Sequence, residues 1–294
     1  MTSKCGYIAI VGRPNVGKST LLNCILGAKV SITSAKPQTT RFQIMGIKTQ
    51  GEAQAIYIDT PGLHLDDKRA MNRYLNRLAS AVIPDANVVV FVVEALEWTP
   101  EDELVLSKIK EAHPPVILAI NKIDRITDKK ELLPFIESLQ NKLDFAAIVP
   151  LSAVRAENIT VLEEKIAEYL PEGPHLFPDD QVTDKNLRFQ VAEIIREKIT
   201  AATEQEVPYC VTVEIEDWQN EEKRDVISAL IWVEREGQKL IVIGKKGERL
   251  KWIGTEARKE IETLIKKKVF LRLWVKVKEE WTDDDRALRQ LGYS

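Results

Sequence analysis

The sequence predicts an α/β domain built on a mostly parallel sheet with one antiparallel hairpin, followed by a smaller α+β domain. Three observations carry this reading. Short β-branched runs alternate with segments of helical period from residue 7 to about 170, prolines break all periodicity between 171 and 185, and the remainder follows the order α-β-β-α-α-β. A chain of 294 residues also exceeds what one hydrophobic core usually supports. The domains are placed at 1–172 and 187–294, with a linker at 173–186.

The predicted strands of the first domain are Tyr7 to Val11, Phe42 to Lys48, Ala53 to Ile58, Asn87 to Val93, Pro115 to Ile120 and Ala146 to Pro150. Only Thr49-Gln50-Gly51-Glu52 separates the second from the third, and so short a connection requires an antiparallel hairpin. Among the helices, Thr99 supplies an N-cap, Pro100 the first helical position, and Glu101, Asp102 and Glu103 an acidic first turn. A second helix shows in the three- and four-residue steps of Ile159, Leu162, Ile166 and Tyr169. Pro171, Gly173, Pro174, Pro178 and Asp179-Asp180 mark the linker.

Beyond it, Leu187 to Ala202 reads as a helix, and Val211 to Ile215 and Val226 to Arg235 as strands. Lys239 to Ile243 reads as a short strand or strand edge, Glu248 to Lys267 as a helix broken near Gly254, and Val269 to Lys278 as a strand.

Composition excludes several classes. Hydrophobic residues at 44% and charged residues at 30% describe a globular protein rather than a disordered or disulfide-built one. The net charge of −3 argues against a surface coated for nucleic acid, unless charge is segregated along the chain. The longest apolar run, Val88 to Val93, falls far short of the roughly 18 residues that span a bilayer. The N-terminus enters a strand at once without a signal-peptide pattern, and Cys5, Cys24 and Cys210 are scattered as in reduced proteins. A cytoplasmic location is expected.

Gly12-Arg13-Pro14-Asn15-Val16-Gly17-Lys18-Ser19-Thr20 fits a phosphate loop: it follows a strand and opens the apolar helix Leu21 to Leu26. Its glycines let backbone N–H groups turn inward on phosphate oxygens, and the helix N-terminus adds positive potential. Lys18 is placed to bridge the terminal phosphates and Ser19 to ligate Mg²⁺. Asn121-Lys122-Ile123-Asp124 directly follows a strand, where a carboxylate can accept the paired N–H donors of guanine that adenine lacks. Ser152-Ala153 lies after the next strand, positioned to close over the base. Asp59-Thr60-Pro61-Gly62 ends the third strand; the Asp suits Mg²⁺ and the Gly62 N–H suits a γ-phosphate. Residues 33–41 are polar and helix-poor, as a nucleotide-dependent loop would be.

Taken together, these motifs resemble the translation-factor-related GTPases, and Gln38-Thr39-Thr40-Arg41 with Asp59-Thr60-Pro61-Gly62 narrows the resemblance to their Era-like branch. The resemblance implies GTP and Mg²⁺ as cofactors, with Ser19, Thr40 and Asp59 at the metal and Lys18, Thr40 and Gly62 in catalysis. Thr40 is favoured over Thr39 as the residue before the arginine. Where Ras-like GTPases place a water-orienting Gln, this chain has Leu63, which the resembled branch shares. Intrinsic hydrolysis is therefore expected to be slow. Asn15 occupies the position at which related GTPases hold a K⁺ ion, making K⁺ a candidate further cofactor.

In the second domain, Ile243-Gly244-Lys245-Lys246-Gly247, with Arg249 and Lys251 following, resembles the Gly-x-x-Gly loop of an RNA-binding KH module of the prokaryotic type, type II. Ten Lys and Arg against four Glu between Lys239 and Lys268 set this stretch apart from the acidic remainder. Of the tryptophans here, Trp232 and Trp274 read as core and Trp252 as the one candidate for RNA. Era-type GTPases pair these same two modules, so the resemblance spans the chain. It implies a monomeric switch that binds 16S ribosomal RNA near its 3′ end and acts in 30S subunit biogenesis. Two alternatives remain: an RNA-binding assembly factor with negligible turnover, or a GTPase peripheral on the inner face of the cell membrane through Lys266 to Lys268.

Overall fold

The computed structural model describes residues 3–34, 36, 39–63, 65, 69–204 and 207–293. Parts of the predicted nucleotide-dependent loop at 33–41 and of the stretch after Leu63, residues 35, 37, 38, 64 and 66–68, lie outside the described residues. The chain divides into two compact units, one holding residues 1–33, 40–67 and 72–184, the other 34–39, 68–71 and 185–294.

In the first unit the elements run β1 (Lys4–Val11), α1 (Lys18–Leu26), β2 (Ile44–Gln50), β3 (Ala53–Asp59), α2 (Ala70–Ala81), β4 (Val88–Glu94), α3 (Pro100–Lys110), β5 (Val116–Asn121), α4 (Leu132–Gln140), β6 (Ala147–Pro150) and α5 (Ile159–Glu168). The six-stranded sheet has the order β2-β3-β1-β4-β5-β6; all neighbours are parallel except β2 and β3, the predicted hairpin. Its central strands read as unbroken apolar runs because both faces are covered. Val88, Val90 and Val92 enter one core with Ile8, Ile10, Leu21 and Ile117, while Val89, Phe91 and Val93 enter the other with Val11, Leu106 and Leu118. At α3 the predicted cap forms: the Asp102 N–H donates to Thr99 Oγ1 (3.3 Å), and Asp102 Oδ2 accepts from the Thr99 N–H (2.9 Å).

The predicted linker is not free chain. Cys5 N–H donates to the Pro171 carbonyl (3.0 Å), Gly173 N–H to Ser3 (2.9 Å) and Ile47 N–H to Val182 (2.8 Å), while buried Gln54 takes the N–H groups of Leu176 and Phe177 on Oε1. Residues 171–184 are thus fastened along the sheet of the first unit.

The second unit contains α6 (Leu187–Ala202), β7 (Thr212–Asn220), β8 (Asp225–Val233), α7 (Glu236–Ile243), α8 (Glu248–Ile265), β9 (Val269–Val277) and α9 (Asp285–Gln290). Its sheet is ordered β7-β8-β9, antiparallel then parallel. The order α-β-β-α-α-β is the predicted one, but two of its elements differ from expectation. Lys239 to Ile243 is helix, not strand edge. Gln238 Oε1 accepts the N–H groups of Glu234 (2.8 Å) and Arg235 (3.2 Å), satisfying donors at the helix start, and Gly244 ends the helix at φ 72°. In turn, α8 runs unbroken through Gly254. A Cβ at this glycine would meet Leu273 Cδ1 at 3.3 Å, so the residue marks where helix and strand approach closely rather than where the helix stops.

The placement of Trp274 is also corrected. Helices cover one face of this sheet: Val269, Leu271, Leu273, Val275 and Val277 join the core with Ile253, Ala257 and Ile261. The alternate residues of β9 face the other way, leaving Trp274 46% exposed; Trp232 is only half-buried, and the fully buried tryptophan is Trp281.

Candidate functional site

The loops predicted to carry chemistry leave the carboxyl ends of β1, β3, β5 and β6, the crevice where parallel α/β sheets place their ligands. The loop after β1 turns back into α1 through Gly17, at φ 100°. Inside it the Lys18 ammonium donates to the carbonyls of Gly12 (2.9 Å) and Arg13 (2.8 Å). Burial is the main reason its pKa is lowered to about 8, with Asp59 opposing. A desolvated cation held in a ring of backbone is chemically prepared for phosphate.

The metal-ligand candidates converge. Ser19 Oγ donates to Asp59 Oδ2 at 2.7 Å and lies 2.7 Å from Thr40 Oγ1. The Thr39 hydroxyl instead donates to the carbonyl of Lys36 (2.5 Å). Asp59 is fully buried, its Oδ1 has no hydrogen-bond partner, and burial raises its pKa. Hard oxygen donors with an orphaned carboxylate oxygen suit Mg²⁺. Ser31, which sequence reasoning missed, adds a 2.9 Å bond to Asp59 Oδ2. A lone serine between Val30 and Ile32 gives no signal by which to find it.

Gly62 follows on the same loop, and a Cβ there would lie 2.6 Å from Pro14 N, so its backbone rests directly against the phosphate loop. Between them Thr60 donates to the Ile10 carbonyl (2.8 Å), and Pro61 is buried. Leu63 is buried in the apolar cluster with Val11 and Ile58 and offers the site no polar group.

The predicted base-reading residues meet through Asn121. Its Nδ2 donates to the Val16 carbonyl (2.8 Å), and its Oδ1 accepts the N–H groups of Lys122 (2.8 Å) and Ala153 (3.0 Å). Ile123 is buried behind it. Ser152 Oγ donates to Asp124 Oδ1 at 2.6 Å, orienting that carboxylate. Phosphate loop, base loop and Ser152-Ala153 are therefore brought to one place.

One side chain of the phosphate loop turns away from it. The Arg13 side chain pairs with Glu97 (2.7 Å), Asp102 (3.1 Å) and Glu94 (3.5 Å), so it braces the loop against α3 and leaves phosphate to its backbone. Lys122 also pairs with Glu94, at 2.5 Å. Asn15, at φ 65°, is exposed at the tip. Thr20 lies in the first turn of α1, half-buried.

In the second unit, Gly244 to Gly247 forms a tight turn joining α7 to α8, with Lys245 and Lys246 exposed and Ile243 half-buried. The Arg249 guanidinium bonds the carbonyl of Ile241, closing the turn, and exposed Lys251 begins the adjoining groove. That groove, of about 450 Å³, runs between α8 and β9 over Leu250, Gly254, Arg258, Phe270, Leu271 and Leu273. Only its entrance was legible in the sequence. Trp252 is 47% exposed but does not line it.

Fold and site together define a phosphate-loop GTPase joined to a KH module. Family models agree: residues 7–122 match the 50S ribosome-binding GTPase family and residues 206–282 the KH domain. GTPase Era of Marinobacter nauticus is 57% identical, over 99% of this chain and 96% of that protein, and GTPase Era of a Pseudomonas fluorescens strain is 58% identical over 99% and 97%. The chain belongs to the Era family of GTPases. Among solved structures, Era in complex with MgGDPNP and nucleotides 1506–1542 of 16S ribosomal RNA superposes with a TM-score of 0.96 at 43% identity, covering 99% of both chains. An Aquifex aeolicus Era variant bound to GDP and aluminium fluoride superposes equally well.

Proposed function

We propose that this chain is a GTP-hydrolysing switch that binds the 3′ end of 16S ribosomal RNA through residues 187–294 and acts in 30S subunit biogenesis. The observation that carries the reading is the full-length likeness to an Era bound both to a GTP analogue and to that RNA, together with a basic Gly-x-x-Gly turn opening onto an apolar groove. In this reading residues 1–172 read nucleotide and 173–186 connect the two functions.

Asp124, oriented by Ser152, accepts the paired donors of guanine, and the N–H groups of the Gly12–Thr20 loop take the phosphates. Ser19, Thr40 and Asp59 would hold Mg²⁺, which when bound supplies charge neutralisation for the terminal phosphates. Lys18 and the Gly62 N–H meet the charge that builds on the γ-phosphoryl oxygens as water attacks. Leu63 cannot orient that water, so intrinsic turnover is slow. Asn15 is the candidate to recruit K⁺ beside the phosphates: hydrolysis should be faster in K⁺ than in Na⁺, with Asn15→Ala abolishing the difference. Equal single-turnover rates in the two salts would remove K⁺ from the mechanism.

For the RNA site, Lys245→Asp with Lys246→Asp should weaken single-stranded RNA binding by at least about tenfold. The wild type should show a log K against log salt slope of about −2 to −3, as three or four phosphate contacts require. Filter binding across a salt series measures both, and a flat salt response would contradict the groove. A membrane reading finds no comparable support, since Lys267 and Lys268 already pair with Asp225 (2.6 Å) and Glu262 (3.2 Å). No helix among the described residues is long and apolar enough to cross a membrane.

A further inference from the structure

The face of the β7-β8-β9 sheet away from the helices carries a row of side chains that, apart from Phe270 at the groove wall, the proposed function does not use. On β9, Phe270, Arg272, Trp274 and Lys276 alternate aromatic with basic and include no acid. Phe270 and Trp274 are 45% and 46% exposed. Two guanidinium groups flank the Phe270 ring, Arg224 and Arg272, each 5.3 Å from its centroid, and Lys276 lies 5.9 Å from the Trp232 ring. Beside them on the same face the partners on β8, Val226, Ser228 and Leu230, are buried, so the exposed rings adjoin a packed surface. Acids appear on the far strand β7, where Glu214 accepts from Trp232 Nε1 (3.1 Å) and Glu216 lies 3.8 Å from Lys276.

β9 is an edge strand, and it forms one wall of the groove: Phe270 lines the groove together with Leu271 and Leu273, yet its place in the alternation puts it on the outer face. A polynucleotide leaving the groove need cross only one strand, about 4.8 Å wide, to reach the rings. Phe270 and Trp274 stand about 13 Å apart along β9, enough for separate bases. Exposed rings framed by guanidinium groups suit stacked bases and adjacent phosphates. The centre of a protein interface is instead depleted of charge.

We propose that this aromatic and basic face extends the RNA site. Single-stranded RNA leaving the α8–β9 groove passes over the edge of β9 and stacks bases on Phe270 and Trp274, while Arg224 and Arg272 meet its phosphates, with little preference for base identity. The inference rests on the reading of the groove as the RNA site.

The test uses the full-length chain and nested RNA fragments from the 3′ end of small-subunit ribosomal RNA. One probe is the shortest fragment that the wild type binds, and the other is the same fragment lengthened by six nucleotides. The wild type should bind the longer probe more tightly. Arg272→Ala with Trp274→Ala, neither of which lines the groove, should leave the short probe within about twofold and weaken the long one about tenfold or more. Trp274→Phe, which keeps a ring, should retain most of the gain. Thermal melts of the variants control for folding. No gain on lengthening, wild-type binding of both probes by the double variant, or equal weakening of both probes would each overturn the extension. So would a wild-type oligomer that the double variant dissociates, because a second copy of the chain would then cover the face. The groove reading fails separately, if Lys245→Asp with Lys246→Asp binds both probes as the wild type does.

Discussion

Asp124→Asn is expected to lower GTP affinity by about 10⁴-fold while raising affinity for xanthosine triphosphate. An amide cannot accept both donors of the guanine edge: it presents one acceptor and one donor, and a buried site built for two polar contacts rejects the mismatch by about 10⁴ to 10⁵. Xanthine carries an oxygen where guanine carries its amine, which restores complementarity. Ser152 still has an oxygen to donate to in the variant, so the loop should hold its place. Competition of unlabelled guanosine and xanthosine nucleotides against a fluorescent GDP measures the switch. Unchanged GTP affinity would mean that the base is read elsewhere.

Lys18→Met should be the most damaging change at the phosphates, with single-turnover hydrolysis reduced by about 10² to 10³, the usual cost of removing one donor aimed at developing charge. Its effect on the nucleotide-free fold should have the opposite sign. Burial lowers the Lys18 pKa from 10.5 to about 8, so at pH 7 the folded chain carries an ammonium stripped of much of its water. A lysine shifted this way subtracts stability below its folded pKa, and the deficit shrinks as pH rises from about 8 towards 10.5. Replacing it with an apolar chain of similar length should therefore raise the melting temperature at pH 7 without nucleotide and remove most of the further rise that GTP gives. A variant that melted lower without nucleotide would show that the two carbonyl bonds of Lys18 outweigh its desolvation.

The sheet of the first unit was legible because its central strands are buried on both faces, so residues such as Val88 to Val93 form runs with turn signals on either side. The site loops were legible because their residue types are constrained at short range. What escaped was decided by partners far along the chain. Nothing near Arg13 announces that Glu97 and Asp102 will take its guanidinium, and nothing near Ser31 announces Asp59. Lys239 to Ile243 looks like a strand because four of its five residues, Leu240 to Ile243, are consecutive apolar residues of the kind strands favour. Yet Leu240 is 68% exposed and Val242 buried, as a helix with one packed face requires. Trp274 was misplaced because alternation along β9 says that two faces differ without saying which one the helices cover.

Asn121 joins three loops with three hydrogen bonds, to Val16, Lys122 and Ala153. In the proposed reading this linkage couples recognition of base and of phosphate into one cooperative event rather than two independent ones. Guanosine and pyrophosphate offered as separate molecules would each have to order a junction that the intact nucleotide orders once. Non-additivity of this kind would let a single amide sharpen discrimination between a whole nucleotide and its parts.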